Sequence, residues 1–355
     1  MKQPVATHRP TGNDRATEPS PHTSALYPPT RTAPGIHGLL YHWTYHPERL
    51  SAVCYLRRWR RQLEAKPMPK FAEIKAVEQH REWIIYFVFA PDGQLDDSHL
   101  FTLDRLKAGR LPVLAVVASK AEHLVPEIIL KTCDAVYWKA LSGYDFSAYA
   151  VGLHAIGRSS PGADALVFND SVYGPFSSLE PFVRNAPWDF TGFMATDGSL
   201  QRHIQSYAFI MRNVTIERLE SLGDIFSMTS AFDSATATIC CRELWMARTA
   251  SRTMSVGSFW FGEVARVLDP TLSKGLELLD AGFPFVKKSL LNKQRHYQQR
   301  DRVLAYLERL GHPLTEAVSS LPPQSQCGVR PGIASCLRRA GAKKLLGRLK
   351  NWVRN

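Results

Sequence analysis

From residue 83 onward the hydrophobic positions fall into short continuous runs separated by longer amphipathic stretches. Trp83 to Ala90 (WIIYFVFA) is apolar without alternation, the pattern of a strand buried on both faces. Pro91-Asp92-Gly93 turns the chain, and Asp97-Ser98 can cap a helix running through Ala108. Leu111 to Ala118 reads as a second strand and Ala121 to Cys133 as a second helix. Asp134 to Lys139, Phe146 to Ile156 and Ala165 to Phe168 continue the alternation as strand, helix and strand. Strands regularly alternating with helices predict an α/β fold, a doubly wound, Rossmann-like parallel sheet. Ligands in such sheets bind beyond the carboxyl ends of the strands. Asn169-Asp170 stands at one such end, in a loop with Gly174-Pro175.

Elsewhere the pattern is mixed. Trp188 to Met194 and Ser206 to Met211 read as strands, Ser234 to Arg248 as a helix, and Asp280 to Leu291 as a loop entering a helix. Upstream, Tyr55-Leu56-Arg57-Arg58-Trp59-Arg60-Arg61 predicts a helix with a strongly cationic face. Residues 1–36 are rich in Pro, Thr, Ser and His, carry no apolar period, and are expected to be disordered. A Pro/Ser/Gln-rich break from Leu321 to Gln326 precedes a basic C-terminal stretch. The expected organisation is a disordered segment (1–36), a basic helical lead-in (37–82), a main domain (83–300) and a helical basic tail (301–355).

Composition narrows the field. A hydrophobic fraction of 45% over 355 residues is enough for a packed core. A net charge of +12 favours acidic partners: nucleic acid, anionic lipid or phosphorylated substrates. No helix-turn-helix, zinc-finger or RNA-binding signature accompanies the charge, so no nucleic-acid partner is expected. The six cysteines form no CxxC pair and fit no zinc spacing, which leaves reduced thiols as the simplest reading. No signal-peptide core and no apolar run of spanning length is present, so a cytoplasmic location is expected. Arg330 to Asn355 holds five Arg, three Lys and no acid, with Leu337, Leu345, Leu349, Trp352 and Val353 roughly along one helical stripe. That fits a helix on an anionic membrane surface, and equally a basic tail packed on its own domain.

Several residues can carry chemistry, each with a plainer alternative. In Asn169-Asp170-Ser171, the Asp170 carboxylate at a strand end can ligate a divalent cation that neutralises a diphosphate; the alternative is an Asx-turn or cap. Asp145 in Gly143-Tyr144-Asp145 can meet a ribose, a sugar hydroxyl or the metal, or cap the next helix. His203, Gln205 and Ser206 can bind sugar hydroxyls, or form an ordinary polar loop. Glu243 can take a proton from an acceptor hydroxyl, or pair on a helix surface with Arg242 or Arg248. Lys287-Lys288 can meet phosphate, while Phe283-Pro284-Phe285 can simply staple the start of a helix.

Taken in order, these pieces resemble the rhamnan synthesis protein F family of bacterial polysaccharide glycosyltransferases. The matching segments are Gly143-Tyr144-Asp145-Phe146-Ser147-Ala148-Tyr149, Phe168-Asn169-Asp170-Ser171-Val172-Tyr173-Gly174-Pro175 and Trp188-Asp189-Phe190-Thr191-Gly192. They continue with His203-Ile204-Gln205-Ser206-Tyr207, Cys241-Arg242-Glu243-Leu244, Asp269-Pro270-Thr271 and Gly282-Phe283-Pro284-Phe285-Val286-Lys287. The resemblance spans roughly residues 83–295 and implies a nucleotide-sugar transferase of the GT-A type. It implies that Gly143, Asp145, Asn169, Asp170 and Ser171 bind the donor, with Asp170 on Mg2+ or Mn2+. It also implies that Glu243, or nearby Asp233, is the catalytic base, and that Trp188, His203, Gln205, Ser206 and Lys287 line the sugar and acceptor site. The usual metal motif has two carboxylates; Asn169-Asp170-Ser171 has one.

The activity so implied is transfer of a sugar, rhamnose being the family's own, from a nucleoside diphosphate sugar to a cell-surface polysaccharide or lipid-linked glycan. Inversion by direct displacement is the expected stereochemistry. The basic tail would hold the enzyme peripherally on the inner face of the cytoplasmic membrane. The single donor-site carboxylate motivates a rival: a catalytically silent nucleotide-sugar-binding or scaffold subunit. The +12 charge motivates a second rival, a nucleic-acid-binding protein.

Overall fold

The computed structural model describes residues 36, 38–197, 201–263, 269–292 and 297–313. The expected disordered segment (but for residue 36), the break at Leu321 and the basic stretch from Arg330 lie outside the described residues.

The strands are β1 (Leu39–Thr44), β2 (Lys66–Pro67), β3 (Phe71–Lys75), β4 (Glu82–Phe89), β5 (Val113–Ala118), β6 (Ala135–Lys139) and β7 (Ala163–Asn169). They continue with β8 (Val172–Tyr173), β9 (Phe190–Thr196), β10 (His203–Ile204), β11 (Ala208–Val214), β12 (Ser230–Ala231), β13 (Val256–Gly262) and β14 (Val286–Lys287). One large sheet has the order β1-β13-β9-β11-β7-β4-β5-β6-β3, with β10 added to β9. Its centre, β7-β4-β5-β6, is parallel throughout. The chain therefore steps from β4 outward through β5 and β6, then crosses back to place β7 on the other side of β4. That reversal is the switch point of a doubly wound sheet, and the expected α/β class is the class found.

The apolar runs predicted as strands are buried on both faces because each feeds two cores. In β4, Trp83, Ile85 and Phe87 enter one cluster, whereas Ile84, Tyr86 and Val88 enter the other. The first core is covered by the helices at residues 144–159 and 244–250, and the second by those at residues 97–108, 127–132 and 180–184. In chain order the helices are α1 (Ala52–Gln62), α2 (Asp97–Ala108), α3 (Glu127–Thr132), α4 (Tyr144–Ser159), α5 (Glu180–Arg184), α6 (Ile216–Ser221), α7 (Ala235–Thr238) and α8 (Leu244–Ala250). Short helices Pro270–Ser273 and Gly275–Asp280 and a longer one, Arg300–Arg309, follow. Among the described residues no helix is long and apolar enough to cross a membrane.

Several boundaries differ from the sequence reading. Helix α2 is capped by Asp96, not by Asp97-Ser98: its carboxylate accepts the His99 N–H at 2.9 Å, and the His99 ring accepts the Asp96 N–H in return. The helix expected from Ala121 to Cys133 is a 3-10 turn, Glu122–Leu124, followed by α3. Pro126 separates them because proline restricts the residue before it to extended backbone. Helix α4 is longer than expected at both ends. Asp280 to Leu291 does not enter an α-helix: Val286–Lys287 pairs with β8, and a 3-10 turn, Lys288–Leu290, follows. The lead-in before residue 83 gives more than a helix, since β1 and β3 close the two edges of the large sheet.

The predicted helix near Ser234 exists, but it is not uniform. Between α7 and α8 the segment Ile239–Glu243 is wound as a π-helix. Such a bulge carries one extra residue in the turn and changes which side chains share a face.

Candidate functional site

A cleft of about 450 Å³ opens at the carboxyl end of β7. Five pieces of chain build it. Strand β7 delivers Asn169 and, just after it, Ser171. The start of α4 supplies Tyr144, Asp145 and Phe146. Strand β11 is antiparallel to β7, with Ala208 opposite Phe168, so its leading residues Ser206 and Tyr207 arrive at the same edge. The α7 and π-helical turn brings Thr238, Ile239 and Glu243, and Lys287, Lys288 and Asn292 close the remaining side.

Hydrogen bonds tie these pieces together. The Asn169 side-chain amide donates to Asp145 at 3.1 Å and to the Tyr149 hydroxyl at 2.8 Å. Its carbonyl oxygen accepts the Ser171 N–H at 3.1 Å and the Ser171 hydroxyl. The Tyr149 hydroxyl in turn donates to the Ser206 carbonyl at 3.0 Å. The Ser206 N–H donates to the Glu243 carboxylate at 3.0 Å, and the Ser206 hydroxyl donates to the same oxygen. Six side chains, from α4, the end of β7, the start of β11 and the π-helical turn, thus form one network. It also gives a physical reason for Asn, not Asp, at position 169. An amide can donate to Asp145, whereas a second carboxylate would set two negative charges in hydrogen-bond contact.

The electrostatics of the cleft are two-sided. Burial and the negative charge of Glu243 push the half-buried Asp145 up to about 6, against the hydrogen bonds from Phe146 N–H and Asn169. Across from this pair stand two lysines. The Lys287 ammonium is 3.7 Å from Asp269 and 5.0 Å from the Tyr207 ring centre. Lys288 lies 3.8 Å from Asp96 and 5.7 Å over Tyr173. A cleft with carboxylates on one wall and ammonium groups on the other can hold a phosphorylated ligand and accept a proton from it or from a second ligand.

Of the residues singled out in the sequence, Asp145, Asn169, Ser171, Ser206, Glu243, Lys287 and Lys288 meet at this cleft. Glu243 does not pair with Arg242 or Arg248 on a helix surface; it reaches Ser206. The others do not line the cleft. Asp170 turns toward α2, where one carboxylate oxygen accepts the Phe89 N–H at 2.8 Å and lies 3.1 Å from His99 Nε2. Asp233 accepts the Gly143 N–H at 2.8 Å and pairs with Lys66 at 2.8 Å, which holds its carboxyl below the usual range. Gly143 itself has φ +90°, a left-handed turn that starts α4, and a Cβ there would sit 2.7 Å from the Ser147 hydroxyl. His203 is buried on β10. Gln205 is buried behind the cleft, donating to Asp269 at 3.1 Å and so bracing the partner of Lys287.

Trp188 is the clearest correction. Strand β9 runs parallel to β13 and antiparallel to β11, hence in the same direction as β7. The residue just before β9 therefore lies at the amino end of the sheet, opposite the cleft. There the indole packs so closely on Gly257 that a Cβ would come within 2.4 Å of it. A second depression, about 510 Å³, also lies at that amino end, between Arg105, Arg110, Phe176 and Glu180. Its carboxylate is occupied by the Arg110 N–H at 2.7 Å. One member of the cleft network had not been singled out individually: Tyr149, four residues after Asp145, the spacing that stacks side chains on one helix face.

Among the described residues, no three His, Cys, Asp or Glu side chains converge as a metal cage. The cleft offers the Asp145 and Glu243 carboxylates, and Asp170 is directed elsewhere.

No protein-family model matches the chain. The chain is similar to virulence protein VirA of Vibrio anguillarum, with 27% identity over 255 aligned positions covering 62% of this chain and 82% of VirA. Among solved structures, it overlays partly on 4-diphosphocytidyl-2C-methyl-D-erythritol synthase from Anaerococcus prevotii (TM-score 0.35, 14% identity, 64% of this chain and 97% of the other). It also overlays partly on residues 1–349 of S. aureus TarS (TM-score 0.31, 13% identity, 67% and 82%). A third partial overlay is with a mannosyltransferase from Pyrobaculum calidifontis in complex with GDP-Man and Mn2+ (TM-score 0.31, 12% identity, 84% and 90%).

Proposed function

We propose that this chain is a glycosyltransferase that moves a sugar from a nucleoside diphosphate sugar to a hydroxyl of a growing cell-surface polysaccharide or lipid-linked glycan. The observation that carries the reading is the cleft at the carboxyl end of β7, where Asp145 and Glu243 face Lys287 and Lys288. Diphosphate is a strongly anionic leaving group, and two ammonium groups near it offset its charge. Glu243 takes the proton of the acceptor hydroxyl, so that the oxygen attacks the anomeric carbon as the carbon–diphosphate bond breaks. Direct displacement of this kind inverts the anomeric centre. Ser206 donates two hydrogen bonds to Glu243, which fix its orientation. Asp145 would be the carboxylate to hold Mg2+ or Mn2+, and the cation would offset diphosphate charge. Rhamnose as the sugar, and membership of the rhamnan synthesis protein F family, rest on the sequence motifs alone. A peripheral position on the inner membrane face through the basic tail is likewise a proposal from sequence.

Thermal unfolding in the presence of nucleoside diphosphate sugars, with Mg2+ or Mn2+, tests the donor. A ligand that binds only the folded state raises its unfolding temperature, so a selective shift identifies the nucleotide and sugar. Transfer or donor hydrolysis by the pure protein, with and without EDTA, then separates an enzyme from a silent binding subunit. Absence of any shift across the donors would remove the reading.

A further inference from the structure

Helix α1 is amphipathic in the reverse sense to a core-facing helix. Its inner edge is the polar one: the Arg58 guanidinium lies 4.5 Å over the Trp245 ring and bonds Asp224 at 2.7 Å, and Cys54 is the helix's buried residue. The outer stripe is apolar. Leu56, Trp59 and Leu63, at spacings of three and four, are 59%, 63% and 71% exposed, with Val53 and Tyr55 beside them. Arg57 and Arg60 are also exposed. Residues 51–63 contain four arginines and no acid, so the patch has a charge as well as an apolar face.

We propose that α1 is a membrane-docking helix that lies in the headgroup layer of an anionic bilayer. The apolar stripe enters the acyl boundary, and Arg57 and Arg60 meet lipid phosphates at its flank, the division of labour of an interfacial helix. Charge complementarity selects this occupant, because an uncompensated arginine pair gains most against a negative surface. The helix is also positioned to matter. The Cys241 thiol, in the π-helical turn, contacts the Arg58 carbonyl at 3.6 Å, and the same turn presents Ile239 and Glu243 to the cleft. Docking by α1 therefore brings the cleft rim to the lipid surface. The surface is distinct from the basic C-terminal stretch, and its binding to lipid does not depend on what the cleft catalyses.

The full chain is tested by co-sedimentation with phosphatidylcholine–phosphatidylglycerol vesicles and with phosphatidylcholine vesicles. Wild type should bind the anionic vesicles more tightly. The variant Leu56→Ser/Trp59→Ser/Leu63→Ser should bind both about tenfold more weakly or worse. Arg57→Gln/Arg60→Gln should weaken binding on anionic vesicles about tenfold and leave the neutral ones unchanged. All these side chains point to solvent, so thermal unfolding should be unaltered. Wild-type failure to bind, or triple-variant binding equal to wild type, overturns the proposal; the latter assigns lipid binding to the rest of the chain. A wild-type dimer that the triple variant dissociates, without vesicle binding, also overturns it and makes the stripe a self-interface.

Discussion

Ser206 and Glu243, 37 positions apart, meet through two hydrogen bonds that end on one carboxylate oxygen. The pairing joins the strand end at β11 to the π-helical turn and leaves Glu243 facing the cleft. Glu243→Gln keeps the shape and removes the base. Its kcat for transfer should fall about 10²- to 10⁴-fold, with donor affinity nearly unchanged. A variant that turns over like wild type would take Glu243 out of the mechanism.

Asp145 makes a prediction about pH. Its carboxyl is raised from 3.8 to about 6 in the fold, by burial first and by Glu243 second. A group raised on folding stabilises the native state at low pH and loses that contribution as pH climbs. Native stability should therefore decline between about pH 4 and 6 on this account, and stay lower above 6. Asp145→Asn should escape the decline, unfolding at a higher temperature than wild type at pH 7.5 and at the same temperature near pH 3.5. The same variant should lose donor affinity. Parallel pH profiles for the two proteins would contradict the assignment.

Asp170 was expected at the donor; the structure gives it a different task. Its carboxylate holds the end of β4 and the start of α2 together through Phe89 N–H and His99. Asp170→Ala should cost about 1–2 kcal/mol in denaturant unfolding, because a donor is left without its acceptor. Donor KM should change little. Loss of donor binding at unaltered stability would return Asp170 to the site.

His99 sits between Asp170 and Asp96, and its imidazole is held above 6.5. Burial pulls it down, but the hydrogen bonds to the two carboxylates outweigh burial. The stabilisation is fully present below 6.5 and is lost as pH rises through the raised value. His99→Gln should flatten that part of the stability profile. An unchanged slope above pH 6.5 would show that the imidazole is neutral throughout.

The parallel centre of the fold was legible because strands buried on both faces read as unbroken apolar runs, as in WIIYFVFA and LPVLAVVA. The edges were not. Strand β3 (FAEIK) alternates between exposed and half-buried, and β1 finds its partner β13 more than two hundred residues away. Asn169 ends β7, the strand-end position its place after an apolar run had pointed to. Trp188 was misplaced because a strand's residues reveal its burial and not its direction. Asp170 and Asn169, adjacent in sequence, diverge because successive side chains near a strand end point to opposite faces. No spacing rule could foretell that the second of them turns toward α2.

The π-helical turn at Ile239–Glu243 has a genetic consequence. Such a turn arises when one residue is inserted into a regular helix, and the strain is tolerated only where the new side-chain arrangement is useful. Removing a single codon there, for example that of half-buried Cys240, should let the helix from Ala235 to Ala250 rewind as an ordinary α-helix. Residues on the two sides would then rotate by about 100° relative to one another. Either Glu243 would leave the cleft or Trp245 and Met246 would leave the core. The reading frame is preserved and the protein is one residue shorter. Its loss of function would trace to helical phase alone.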